Sequence, residues 1–80
     1  MTNGGGAAPA AHLAHLADTY HAHLADERRA RAFFLEQVAS LPDGTEREIY
    51  RELTAEEDEH IAVLETERQY TRAALNAEAG

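Results

Sequence analysis

A single interruption, Pro42-Asp43-Gly44, divides an otherwise helix-compatible chain of 80 residues into two arms. Proline disfavours helical geometry in the residue before it, and glycine relaxes the turn that follows. From Ala10 to about Ser40 the composition is Ala, Leu, His, Glu and Arg, all compatible with a helix. Beyond the break, Thr45 and Glu48 have the spacing of a capping box, which predicts a second helix from Glu46 to about Asn76. Each arm is then about 45 Å long at 1.5 Å per residue. The short connection predicts an all-α fold, an antiparallel two-helix hairpin over residues 10–76. Residues 1–9, with Gly4-Gly5-Gly6, read as a disordered Gly/Ala tail, and residues 77–80 as a frayed end.

Such a hairpin has little with which to build a core. Seventeen residues are alanine, whereas Leu, Ile, Val and Phe together number 14. A lone chain of this kind predicts either disorder or self-association, at minimum as a homodimer. Seven Arg, no Lys and 15 acidic residues give a net charge of −8. That balance argues against nucleic acid and anionic membranes, and for cations or basic partners. Without cysteine there is no disulfide framework and no thiol nucleophile. The absence of an 18-residue apolar run and of a signal-peptide core predicts a cytoplasmic protein.

At 100° per residue, the first arm places Leu13, Leu16, Tyr20, Leu24, Phe34, Val38 and Leu41 on one stripe, with Glu27 at its centre. The second arm places Ile49, Leu53, Leu64 and Leu75 together, with Glu57 and His60 among them. Two carboxylates thus fall where the hairpin buries side chains, which costs several kcal/mol unless something pairs with them. Counting outward from the turn brings Glu27, Glu57 and His60 to one level, about 20 Å from the loop. Face and level agree independently. Glu-x-x-His alone is a weak signal, because with eleven Glu and five His about one such pair arises by chance. The combination with Glu27 is stronger.

One hairpin offers too few ligands to close a transition-metal site. Two hairpins about a two-fold axis offer four carboxylates and two imidazoles, the inward-facing pattern of di-iron carboxylate bundles. Oxygen-rich ligation with one nitrogen per metal suits Fe or Mn, with Zn a frequent substitute. The competing reading is an interfacial hydrogen-bond network in which Glu27 pairs with Arg31 at i+4. His12, His15, His21 and His23 read as solvated surface histidines, with metal capture as the alternative. Tyr20 reads as core. Phe33, facing away from the Glu27 stripe, reads as a second subunit contact and so hints at assembly beyond a dimer. The run Glu56–Glu59, apart from Glu57, reads as a solvated face.

These residues carry a resemblance. The segment Ala25–Phe34, with Glu27 and the aromatic pair Phe33-Phe34, precedes Glu52–His60, with Glu56-Glu57 and His60. Together they resemble the ferritin-like superfamily of rubrerythrin type, in particular the two-helix encapsulated ferritins. The match spans about Tyr20 to Gln69. It implies a hairpin that dimerises into a four-helix ferritin-like bundle, with Glu27, Glu57 and His60 as the catalytic and metal-ligating residues of a ferroxidase centre. That centre would hold a pair of irons shared between two subunits and oxidise Fe(II) to Fe(III) with dioxygen, for iron storage or detoxification. The resemblance also implies an encapsulin shell as partner and location inside that nanocompartment. Thr71–Gly80 carries no Gly/Leu/Ile-rich docking peptide of that kind. A longer chain, a fusion to the shell protein, and function without a shell all remain open on that point. A peroxide-scavenging role shares the same fold. The alternatives of another class are a non-catalytic, metal-free helical-hairpin dimerisation module and a redox-inert Zn or Mn assembly element.

Overall fold

A computed structural model describes residues 3–79 of the chain as two α-helices, α1 (Asn3–Ser40) and α2 (Thr45–Ala79). They pack against each other as a hairpin whose longest dimension is 64 Å and whose other two are 15 and 14 Å. Both helices outrun the expected bounds. Met1, Thr2 and Gly80 lie outside the described residues, the helical backbone of α1 begins at Asn3, and that of α2 continues to Ala79. Once a turn is nucleated, each further residue adds one hydrogen bond for one residue fixed. The adjoining alanines therefore carry the helix through Gly4-Gly5-Gly6 and Pro9, which propensity alone disfavours.

The break is built somewhat differently from the expected capping box. Leu41 N–H closes α1 on the Gln37 carbonyl at 2.9 Å, and Glu48 N–H opens α2 on the Gly44 carbonyl at 3.1 Å. Gly44 is therefore the N-cap, one residue earlier than Thr45. The Glu48 carboxylate pairs with Arg51 instead of reaching back across the first turn. Gly44 has φ +153°, which a residue with a Cβ rarely adopts, although a Cβ there would meet nothing within 4 Å. Arg47 then reaches back from α2. Its Nε donates to the Val38 carbonyl at 2.9 Å while its other nitrogen pairs with Asp43. A cation at the C-terminal end of α1 satisfies an orphan carbonyl and opposes the helix dipole. Phe33, Phe34 and Tyr50 stack edge-on and tilted beside it, with centroids 5.9–6.2 Å apart.

Above the turn, the contact between the helices follows alternating steps of three and four. On α1 it runs Ala10, Leu13, Ala17, Tyr20, Leu24, Glu27, Arg31, Phe34 and Val38, and just past the helix Leu41, all at least partly buried. On α2 it runs Arg47, Tyr50, Thr54, Glu57, Ile61, Leu64, Arg68, Thr71, Leu75, likewise. This is a 3.5-residue repeat, the seam of a coiled coil. Ile49 lies off that seam and is 49% exposed, which corrects its expected place on the inner stripe. Thr54 and Thr71 replace apolar residues within the seam. Each hydroxyl donates to the carbonyl four residues back, Tyr50 and Glu67, at 2.8 Å, so neither is buried unpaired.

Among the described residues, Leu24 alone is both apolar and fully buried. The accessible surface is 5580 Å², against roughly 4800 Å² for a compact monomer of this mass. Inter-helix ion pairs, Arg28 with Glu65 and Arg31 with Asp58, flank the middle of the seam. Being exposed, such pairs add little stability on their own. No helix among the described residues is long and apolar enough to cross a membrane.

Candidate metal centre

The hairpin brings Glu27 of α1 together with Glu57 and His60 of α2, one donor atom from each lying within 4.8 Å of the other two. Seam geometry is the cause. Glu27 and Glu57 both occupy seam positions, so both point between the helices, and their side chains retain only 20% and 14% exposure. His60 stands one turn beyond Glu57 at the edge of the seam and is 60% exposed, which departs from its expected place within the buried stripe. From there its Nδ1 lies 3.9 Å from Glu27 Oε1 and 3.9 Å from Glu57 Oε1.

The electrostatics of the pair are those of two carboxylates forced together. The hydrogen bond shared with Glu57 holds the Glu27 carboxyl below its ordinary value, assisted by His23 and His60 and opposed by burial. The same shared bond pushes Glu57 upward, and burial, the Glu27 charge and neighbouring Glu56 push it the same way. Even so, Glu57 Oε2 is buried and makes no hydrogen bond among the described residues.

A divalent first-row metal fits this donor set. Two ligands on one ion with bonds of about 2.0–2.2 Å stand up to about 4.2 Å apart, so 3.9 Å is too long for a hydrogen bond but suits a shared cation. The ion would sit between Glu27 Oε1, Glu57 Oε1 and His60 Nδ1 and offset the repulsion between the two acids. Two carboxylate oxygens and one imidazole nitrogen leave further coordination positions open.

His23, read as a solvated histidine with metal capture as the alternative, contacts the group directly. It is 54% exposed, as a solvated histidine would be, yet its Nε2 lies 2.9 Å from Glu27 Oε2. It also lines, with Glu27, His60, Val63 and Leu64, an open cleft of about 350 Å³. The available signal was spacing, since His23 precedes Glu27 by one turn on the same side of α1. His12, His15 and His21 are exposed and do not join the group. Arg31 does not pair with Glu27 as the hydrogen-bond network required. It reaches across to Asp58, drawing that residue out of a purely solvated role. Glu56 and Glu59 remain exposed.

Outside the hairpin seam, α2 carries a second periodic line past the site. Ile49, Leu53, Glu56, His60, Val63, Glu67 and Tyr70 succeed one another by four and three residues. Three of them are large apolar residues facing solvent, Ile49 at 49%, Val63 at 60% and Tyr70 at 70% exposure. Phe33, the residue read as a second subunit contact, is 49% exposed on α1. Comparison with protein-family models, with curated proteins and with solved structures returns no match.

Proposed function

We propose that the chain is a ferroxidase whose centre is completed when two hairpins pair about a two-fold axis through the His60 edge of α2. The observation that carries this reading is the grouping of Glu57, a part-buried carboxylate with one buried oxygen lacking any partner, with a second carboxylate and His60. A site built only for stability gains nothing from such a pair, because apolar residues of similar volume do better there. Three facts support a second copy as the missing half. The donor set of one hairpin is incomplete, the cleft beside it is open, and apolar Val63 stands exposed one turn beyond His60, with Ile49 and Tyr70 further along the same line. Pairing would gather four carboxylates and two imidazoles, enough to balance two divalent ions.

Fe(II) is the substrate in this reading. Glu27 and Glu57 bind it as anionic oxygen ligands and His60 as a neutral nitrogen ligand, and His23 holds Glu27 in orientation through Oε2. Each of two Fe(II) ions loses one electron to dioxygen, which takes up two protons and leaves as hydrogen peroxide. Carboxylate-rich ligation favours the ferric product, because anionic oxygen stabilises the higher charge. Mn or Zn would occupy the same donors without that turnover. Delivery of ferric product into an encapsulin shell belongs to this proposal through the family resemblance alone.

The test is aerobic oxidation of Fe(II), followed by absorbance, with the full chain and with Glu57→Ala. The proposal expects oxidation well above the buffer rate, about one iron bound per chain, and loss of both in the variant. Unchanged metal content and unchanged self-association in Glu57→Ala would leave the metal-free dimerisation module, which draws on the same exposed apolar line. Metal binding without oxidation would identify a redox-inert assembly element.

A further inference from the structure

The seven arginines of this acidic chain are not equally matched. Arg28, Arg29, Arg31, Arg47 and Arg51 each pair with a carboxylate. Arg68 and Arg72 form no ion pair among the described residues, although acids outnumber arginines by more than two to one. These two are neighbours, one turn apart on α2. They line the same cavity of about 250 Å³ with Gln69 and Glu65. Arg68 occupies the hairpin seam, and its Nε is buried without a hydrogen-bond partner. An unpaired buried N–H on a charged group is costly, so this guanidinium is not satisfied within the hairpin, and its remaining nitrogens are the donors it can offer to the cavity it lines.

We infer that Arg68, Gln69 and Arg72 form an oxyanion site for inorganic phosphate or a phosphate monoester. A guanidinium offers a planar fork of donors that matches phosphate oxygens, and two of them, one turn apart, line the same cavity. The Gln69 amide adds a neutral donor. Glu65, the one acid lining the cavity, is held by Arg28, so its charge is already compensated. The site is independent of the metal reading, since none of its residues belongs to the Glu27, Glu57 and His60 group.

The experiment is calorimetric titration of inorganic phosphate into the full chain with a chelator present, so that no bound metal holds the anion. Sedimentation of the same samples reports assembly. The proposal expects saturable binding of one phosphate per hairpin. Arg72→Gln, at an exposed position where folding is not at stake, should weaken it at least about tenfold. Arg68→Gln should do the same, and Arg51→Gln, outside the cavity, should leave it unchanged. Absence of saturable binding overturns the proposal, as does an equal loss in Arg51→Gln, which would mark a general charge effect. So does dissociation of assemblies by Arg72→Gln with no phosphate bound by the parent, which would assign the two arginines to acidic side chains of a second copy.

Discussion

His23 Nε2 lies 2.9 Å from Glu27 Oε2, while the other oxygen of Glu27 faces His60 at 3.9 Å. One carboxylate is thus steadied on one side and presented on the other. Hydrogen bonds of this kind to metal ligands are commonly worth 10–100-fold in affinity. His23→Ala should therefore weaken Mn(II) or Fe(II) binding by about tenfold while preserving its stoichiometry. Glu27→Ala should abolish it. Anaerobic titration calorimetry separates the two outcomes.

Glu57 sets function against stability. Its carboxyl is raised above the ordinary 4.5, so between that value and its raised one the folded apo chain holds a proton the unfolded chain has released. This group's contribution to stability therefore falls as pH rises through that window. Glu27 is lowered and works oppositely, adding stability above 4.5 that is lost as pH falls through its depressed value. Glu57→Gln should raise the apo melting temperature at pH 7, with the gain shrinking towards pH 4, and should eliminate metal binding. Thermal melts by circular dichroism across that range, with chelator, provide the check.

Val63 is 60% exposed beside His60, so a charge there is harmless to an isolated hairpin. Val63→Glu should abolish self-association and, with it, most metal binding, while leaving the helical content intact. Sedimentation equilibrium beside far-ultraviolet circular dichroism tests this.

Leu24 carries the interior almost alone. Leu24→Ala should destabilise the hairpin by about 2–4 kcal/mol, a large share of what two helices of this composition can hold. Gly44→Ala should cost about 1 kcal/mol or more through backbone strain alone, since nothing crowds a Cβ there. Chemical denaturation measures both.

The two arms, the break at Pro42-Asp43-Gly44 and the convergence of Glu27 with Glu57 and His60 were legible in the sequence. Helical periodicity fixes which side chains share a face, and distance from a tight turn fixes which share a level. The second stripe was less legible. A fixed step of 100° drifts about 20° per heptad from a 3.5-residue seam, so over α2 it gathered Ile49 and passed over Ile61. Thr54 and Thr71 look polar in sequence, and only the back-bonding of their hydroxyls makes them seam residues. Gly44 took the capping role assigned to Thr45 because its backbone reaches a conformation other residues avoid. His23 was legible only as two alternatives, solvated or metal-capturing: it is exposed as the first requires, yet the one-turn spacing brings it onto Glu27.

Glu27 and Glu57, part-buried on facing helices, are proposed to be held there for iron shared with a second hairpin. Anomalous scattering at the iron edge, from crystals grown with Fe(II), tests it most directly. The account predicts paired iron peaks about a two-fold axis, each bounded by Glu27, Glu57 and His60, at about one iron per chain. Iron found only at the outlying histidines, or Glu27 and Glu57 turned to solvent with no such axis beside them, would contradict it.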